Sequence, residues 1–399
     1  MTLPRVLWPI ARPNVGWVSL AAAVGLTLVG AAAISLVEPA TARRQLMFLP
    51  VALVAMLVTA LPHHRRLVDY SYILLAITLA MLVVLLLPFM PESIVPVRNN
   101  ARRWFNLQLA GLSFQPSELT KITYVLALAC YLRYRHNYRA LRGLLPPLLL
   151  TFLPMGLILV EPDLGTAMLF LPALFAMLIA AGARLKHIIA IVLIGICLMP
   201  AMYPLLKPHQ KARIVAVVSQ VQGDTRHRDD IGFQGFKAQT LVGAGKLTGH
   251  DADFAQDLVR FNALPEAHND MIFAVITTRW GLLGAAGLLG LYLVLVLSGL
   301  LAAAVNRDPF ARLIGVGVVT FLFTQMFVNI GMTVGVLPIT GMTLPFVSYG
   351  GSSLVANFMM IGLLLNIAAR RPLIIGQPAF EFDRPRDEPV HRSPQPMTS

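Results

Sequence analysis

The chain has 399 residues, of which 57% are hydrophobic and only 13% are charged, and its mean hydropathy is +0.71. Soluble domains carry about 25% charged residues, so this composition excludes a soluble protein and indicates an integral membrane protein. The net charge of +13 is attributed to membrane topology and to contact with anionic lipid. A nucleic-acid partner is not expected, because no long basic run or nucleic-acid-binding motif occurs.

Ten apolar segments approach the length of about 20 residues that crosses a bilayer, which predicts an all-α polytopic fold. The first span follows Arg5 and Arg12 without a small-residue cleavage site, so we interpret it as a retained anchor. Cys130 and Cys197 fall inside apolar segments and are expected to be small buried hydrophobes. The predicted spans are 15–37, 46–61, 70–88, 117–133, 143–160, 163–182, 187–206, 270–304, 310–337 and 346–369.

Basic residues recur in alternate connections between these spans. The positive-inside rule then predicts that both termini are cytoplasmic. Arg43 and Arg44 fall on the outer side against this rule, and such a violation can mark function. The other outer connections are 89–116, 161–162, 207–269 and 338–345.

We predict one membrane domain, residues 1–371, with a single large extracytoplasmic loop at 207–269. Residues 372–399 are rich in Pro, Arg, Asp and Ser, and we expect them to form a disordered cytoplasmic tail. Basic groups among glycines in the large loop suit a phosphate-bearing partner. They equally suit an ordinary solvated loop beside the anionic bilayer surface.

Charged residues cluster in the first large outer loop and in the helix after it. Arg102 and Arg103 lie in the loop, and Pro116 suits the first turn of the helix. Glu118 and Lys121 are three residues apart and therefore share a helix face. The pair is interpreted as a structural ion pair or, alternatively, as a direct participant in chemistry.

A very short turn, Glu161-Pro162-Asp163, joins two predicted spans. Pro162 begins the second helix, and Asp163 lies in its first turn. Asp163 either caps this hairpin or lines a cavity that opens to the outside.

The stretch Leu264–Phe273 ends the long loop and begins an apolar helix, so Asp270 would lie where membrane meets water. A carboxylate at such a boundary is a candidate for chemistry. The alternative is that Asn269 or Asp270 caps the helix. A metal site formed by Glu266, His268 and Asp270 is a weaker possibility, so use of a divalent cation such as Mg²⁺ or Mn²⁺ stays open.

The stretch Leu337–Ser353 contains prolines and glycines that prevent a continuous helix near membrane level. Irregular backbone at that depth is tolerated only when it is buried in protein or lines a wet cavity. Ser348, Ser352 and Ser353 offer hydroxyl groups either to a ligand or to carbonyls of their own helix.

Together these stretches resemble the SEDS family of shape, elongation, division and sporulation proteins, of the RodA, FtsW and SpoVE type. The resemblance runs from about residue 45 to 371. It is carried by five motifs in the expected order on a ten-span plan. The motifs are Ala101–Trp104, Phe114–Glu118, Pro162–Thr166, Leu264–Asp270 and Leu337–Ser353.

The resemblance implies a peptidoglycan glycosyltransferase that polymerises lipid II on the outer face of the cytoplasmic membrane, together with a class B penicillin-binding protein. It also implies that Asp270 matches the family's essential acidic residue, which suits a general base for a sugar hydroxyl. Spans 117–133 and 270–304 are the expected walls of a polyprenyl groove. The residues expected to bind pyrophosphate or sugar are Arg43, Arg44, Arg102, Arg103, Lys121, Asp163, His268, Ser348 and Ser352.

The chain also departs from the family pattern. Glu161 stands where the family usually has Gln, and Asn269 stands where it usually has Thr. Thr278 and Arg279 replace two acidic residues after Asp270, which reverses the local charge. A buried Arg279 would need a carboxylate partner, and the candidates are Glu118, Glu161 and Asp163.

Two other functions are weighed against polymerisation. Broken helices and ionisable residues at membrane depth also occur in transporters, so a flippase for a lipid-linked sugar is one alternative. The charge reversal at Thr278 and Arg279 motivates another, a non-catalytic scaffold that holds a penicillin-binding protein.

Overall fold

The computed structural model describes residues 12–97, 101–107, 112–134, 141–202 and 233–370, together with 204 and 211. The predicted tail 372–399 and much of the predicted loop 207–269 lie outside these residues. The helices are α1 (Val15–Val37), α2 (Pro39–Ala60), α3 (His64–Leu86), α4 (Pro116–Tyr134), α5 (Leu145–Val160), α6 (Leu164–Met168), α7 (Phe170–Ala181), α8 (Leu185–Met202), α9 (Phe233–Ala244), α10 (Ala252–Asn262), α11 (Ile272–Ala304), α12 (Pro309–Thr333) and α13 (Gly351–Ala369).

Helices occupy every one of the predicted spans, so the predominantly helical membrane fold is confirmed. Within the described residues, seven helical segments are long and apolar enough to cross a membrane. They are α1, α2, α3, the pair α6 and α7, α11, α12 and α13. The apolar stretches of α5 and α8 are shorter than these seven segments. Helix α4 carries charged residues at both ends. The protein is therefore a multi-pass membrane protein, and the count of ten spans stays a prediction.

The long apolar stretch after Asp270 is one helix with a sharp break. Gly281 has φ +64°, outside the helical region, within α11. The next two N–H groups, of Leu282 and Leu283, donate to the carbonyls of Lys246 and Leu247 instead of following the helix. The segment 282–304 is ~35 Å long at the helical rise, which matches a hydrocarbon core of about 30 Å. The turns before Gly281 are therefore not needed for the membrane crossing.

A small antiparallel hairpin precedes α4, and sequence reasoning did not predict it. Strands β1 (Phe105–Leu107) and β2 (Leu112–Phe114) pair with Phe105 opposite Phe114. The hairpin joins the outer loop to α13, since the Ser352 hydroxyl lies 3.5 Å from the Ser113 carbonyl.

The predicted cytoplasmic connections meet at the other end of the bundle. Asp308, at the start of α12, lies 3.3 Å from His64 of α3 and 3.7 Å from both Arg65 and Arg133. Arg370 donates to carbonyls at the end of α2. The predicted outer connections contact one another at the opposite end, so the two sets lie at different ends of the bundle.

The core between these ends is packed from aromatic and small residues. Tyr124, Phe170 and Phe321 meet edge to face, with ring centroids 5.0–6.1 Å apart, and join α4, α7 and α12. Cys130 is buried as predicted, but Cys197 is exposed on the apolar helix α8, which contradicts the expectation for it.

Candidate active site

Asp270 lies in a turn directly before α11 and is half-buried. The helix begins at Ile272, and Met271 at the capping position makes no side-chain capping hydrogen bond. Neither Asn269 nor Asp270 thus occupies the capping position of α11. The Asn269 side chain instead donates to the Glu266 carboxylate at 2.5 Å.

The irregular stretch Leu337–Ser353, called here the 337–353 segment, holds the Asp270 turn in place. Asn329 of α12 donates to two carbonyls, those of Asp270 at 2.8 Å and Met342 at 2.6 Å. The Ser348 hydroxyl donates to the Asn269 carbonyl at 2.6 Å. One buried amide and one buried hydroxyl therefore join the two irregular segments into a single unit.

Gly341 of this segment lies close to the Asp270 carboxylate. A β-carbon on Gly341 would lie 3.6 Å from Asp270 Oδ2. Gly341 has φ +71°, a backbone conformation that glycine adopts without steric cost. The path of the chain past the carboxylate therefore depends on glycine at this position.

His268 borders the turn on its exposed side. Its Nδ1 lies 3.9 Å from the Glu38 carboxylate, and its ring lies 6.2 Å from that of Tyr349. No three His, Cys, Asp or Glu side chains among the described residues are placed to hold a metal ion. The predicted metal site from Glu266, His268 and Asp270 is therefore not formed by these residues.

A buried ion pair connects α4 to the same unit. Lys121 Nζ lies 2.9 Å from Glu118 Oε2 and donates to the Gln325 side chain at 3.1 Å. Gln325 in turn donates to the Thr343 carbonyl at 3.0 Å. Lys121 has no exposed surface. Its ammonium group therefore interacts only with protein groups and links α4 to α12, which contacts the 337–353 segment.

The turn before α6 approaches the 337–353 segment from the other side. Asp163 caps α6 through the backbone N–H and the hydroxyl of Thr166, at 3.1 and 3.0 Å, and accepts a hydrogen bond from Gln115. Gly165 lies against Met342, with so little space that a β-carbon would be 2.5 Å from that side chain. Asp163 is thus a capping residue in the structure.

Glu161 is 2% exposed, and neither of its carboxylate oxygens has a hydrogen-bond partner. Burial, with a smaller contribution from Asp163, raises the pKa of Glu161 to about 8, and Arg103 partly opposes the shift. Arg103 itself donates to the carbonyls of Glu161 and Pro162.

The other predicted substrate residues are spread over the same end of the bundle as Asp270. Arg102 donates to the carbonyls of Leu87 and Pro88, whereas Arg43 and Arg44 are exposed near the start of α2. The next residue on α2, Gln45, lies within hydrogen-bonding distance of the Val347 carbonyl. The two exposed arginines are therefore adjacent in sequence to a contact with the 337–353 segment.

Arg279 has none of the three carboxylate partners considered for it. Its guanidinium donates to the His250 carbonyl and lies 5.8 Å from the Trp280 ring centroid. Thr278 donates to the Leu241 carbonyl at 3.2 Å. The two residues that reverse the local charge thus fasten α9 and the α9–α10 turn to the first part of α11.

Sequence reasoning missed Gln325 and Asn329, the two buried side chains that fasten the site. They lie four residues apart on one face of α12, in a helix that is otherwise largely apolar. Polar residues within a membrane helix are a default sign of function, and this signal was present in the sequence.

The fold and this site define a multi-pass membrane protein with a polar site at one end of its helix bundle. A model of the FtsW, RodA and SpoVE family of cell cycle proteins matches residues 15–372, and the chain belongs to that family.

Named relatives and solved structures resemble most of the chain. It is 33% identical to the probable peptidoglycan glycosyltransferase FtsW of Geobacter metallireducens, over 82% of this chain and 84% of the relative. It is 32% identical to stage V sporulation protein E of Bacillus subtilis, over 82% of this chain and 86% of the relative. A chain from a peptidoglycan synthase complex matches with a TM-score of 0.74 at 30% identity, covering 88% of this chain and 97% of that one. The rod shape determining protein RodA of Thermus thermophilus matches with a TM-score of 0.65 at 27% identity, covering 89% and 97%.

Proposed function

We propose that this protein is a peptidoglycan glycosyltransferase that polymerises lipid II at the outer face of the cytoplasmic membrane. Family membership and relatives named for this activity support the reaction class. The observation that carries the site assignment is the position of Asp270. It is a half-buried carboxylate in a turn that is fastened by Asn329 to the 337–353 segment.

In the proposed reaction, a sugar hydroxyl of one lipid-linked substrate attacks the anomeric carbon of another. The new glycosidic bond forms as the bond to the polyprenyl pyrophosphate breaks. Asp270 accepts the hydroxyl proton, because a sugar hydroxyl becomes an effective nucleophile only as it loses that proton. Rigid placement of the base contributes by keeping the reacting groups aligned.

The leaving pyrophosphate carries charge that cationic side chains stabilise. Arg43 and Arg44 are the strongest candidates, because they are exposed and next to Gln45, which contacts the 337–353 segment. Lys121 is fully buried and paired with Glu118, so we assign it to support of the site.

A class B penicillin-binding protein is the proposed partner, because polymerised strands must be crosslinked. The similarity to a chain of a synthase complex that coordinates polymerisation and crosslinking supports this assignment. We also propose that both termini are cytoplasmic, as the distribution of basic residues predicts.

The test is polymerisation of labelled lipid II by the purified full-length protein, with its partner where required. We expect glycan strands from the wild type and none from Asp270→Asn or Asp270→Ala. Asp257→Asn, on the exposed side of α10, is the matched control and should retain activity. Robust polymerisation by the Asp270 variants would overturn the role of this residue.

The same preparation separates the alternatives. Translocation of labelled lipid II across proteoliposomes, unaffected by Asp270→Ala and without strand formation, would favour a flippase. Stable assembly with the partner, but no strands under any condition including added divalent ions, would favour a scaffold.

A further inference from the structure

Glu161 is the buried carboxylate that the proposed reaction leaves unexplained. It lies in the turn between α5 and α6, where both carboxylate oxygens are buried without a hydrogen-bond partner. A buried charge is costly unless it is paired and hydrogen-bonded. A carboxyl group in this position lowers that cost by binding a proton.

The charged groups that act on Glu161 do not offset this cost. Asp163, two residues along the same turn, disfavours a second negative charge. Arg103 favours the ionised form, but its guanidinium donates to the backbone carbonyls of Glu161 and Pro162. The nearest cation therefore holds the turn without binding the carboxylate.

We propose that Glu161 is a positioning residue that functions as a neutral, protonated side chain, and that loss of its proton disturbs the turn supporting Asp270. This inference rests on the proposed function, because Asp270 is the general base only in that reaction. The chemical event is the release of a proton from the Glu161 carboxyl group to water, which leaves two negative charges in one turn.

The structure provides a short route from Glu161 to Asp270. Asp163 fixes the start of α6 through Thr166, and Gly165, in the same turn, lies against Met342. The carbonyl of Met342 is held by the same Asn329 amide that holds the Asp270 carbonyl. A displacement of the α6 start therefore reaches the Asp270 turn through one packed contact and one shared side chain.

The protonation equilibrium places this effect in a testable pH range. The pKa of Glu161 is raised from 4.5 to about 8 by burial and by Asp163. The side chain is thus neutral at pH 7 and ionises as the pH rises through about 8. Glutamine has nearly the same shape and cannot ionise.

The first test compares the pH dependence of lipid II polymerisation for wild type and Glu161→Gln. We expect similar rates at pH 7 and a rate for the variant several-fold above wild type at about pH 9, because only the wild type acquires the second charge. Glu92→Gln, at an exposed position of the outer loop, should follow the wild-type profile. An alkaline decrease that is the same in wild type and Glu161→Gln would overturn the proposal.

The second test does not depend on catalysis. Infrared spectra of the full-length protein with isotope-labelled glutamate should show, at pH 7, a carboxylic-acid C=O band that Glu161→Gln lacks. The band should disappear as the pH rises through about 8. An ionised Glu161 at pH 7 would overturn the proposal even if the enzyme is active.

The two proposals can fail separately. A wild type that makes no strands under any condition contradicts the glycosyltransferase assignment, and the infrared band still tests the protonation of Glu161. The pH dependence of thermal unfolding then tests whether this proton supports the fold. Wild type should lose stability between about pH 5 and 8 relative to Glu161→Gln, since the folded state binds the extra proton in that range.

Discussion

At the scale of single residues, the site is built around Asp270 by side chains that are remote in sequence. The position of Asp270 at the start of an apolar helix makes it a candidate, and the family resemblance predicts it as the acidic residue of the site. The residues around it, Asn329 and Gly341, lie far along the chain, and local patterns contain no information about such contacts. Sequence therefore predicts the proposed reactive group but not the residues that orient it.

Gly341→Ala is expected to impair catalysis more than folding. Alanine at φ +71° costs roughly 1–2 kcal/mol, whereas the added β-carbon would make only an ordinary contact with Asp270. Relief of this strain would move the chain beside the carboxylate. We expect at least a tenfold lower polymerisation rate, measured on labelled lipid II, with a small decrease in the melting temperature.

Gly350→Ala is the matched control for this substitution. Gly350 lies in the same segment with extended backbone, and its β-carbon would make ordinary contacts. Near wild-type rates in both variants would contradict the proposed importance of the backbone path at Gly341.

The Glu118–Lys121 pair gives a second prediction at the residue scale. Removing one partner of a buried ion pair costs about 3–5 kcal/mol, because the other charge is left uncompensated. Glu118→Gln and Lys121→Met should each markedly lower the melting temperature in detergent. The double variant, with both charges removed, should recover most of the lost stability and polymerise lipid II. A folded but inactive double variant would show that one of the two charges acts in the chemistry.

At the scale of secondary structure elements, α11 has two functions. Its longer part is the predicted membrane crossing, and its first part supports α9 and the α9–α10 turn. The predicted span 270–304 has 35 residues, more than the roughly 20 that cross a bilayer perpendicularly, but its sequence does not locate the break. The helix contains several glycines, and only Gly281 is opposed by the backbone of Gly249 and Leu247. That opposition depends on how the 245–250 turn packs, which is a tertiary property.

Gly281→Ala should therefore disrupt the joint between α11 and the outer helices. A β-carbon at Gly281 would lie 2.4 Å from the Gly249 nitrogen and the Leu247 carbonyl oxygen, at a φ of +64°. The backbone must move to relieve such a clash, because packed interiors have little free space. We expect a large decrease in the melting temperature and faster proteolysis of the 245–262 region.

Gly287→Ala provides the comparison within the same helix. No atom lies within 4 Å of its β-carbon position, and alanine favours a helix more than glycine does. This variant should be as stable as the wild type or slightly more so. Equal stability of the Gly281 and Gly287 variants would contradict the role of the kink.

At the scale of the whole molecule, the basic residues predicted which connections share an end of the bundle. The prediction is possible because charge asymmetry and span length depend on the bilayer environment. The partner of Arg279 and the β1–β2 hairpin were not predictable in this way. Both depend on contacts that are specific to this fold. The Arg279 guanidinium, for example, donates a hydrogen bond to the His250 carbonyl.

The proposed chemistry requires that the end with Asp270 faces outward, and this orientation is a prediction for the whole molecule. In a background with Cys130 and Cys197 replaced by alanine, Glu92→Cys should react with a membrane-impermeant maleimide in intact cells. Lys186→Cys, exposed at the start of α8 and separated from Glu92 by three predicted spans, should react only after the membrane is permeabilised. The reverse pattern would place Asp270 on the cytoplasmic side. No strand could then be polymerised on the outer face by this residue, whatever its geometry.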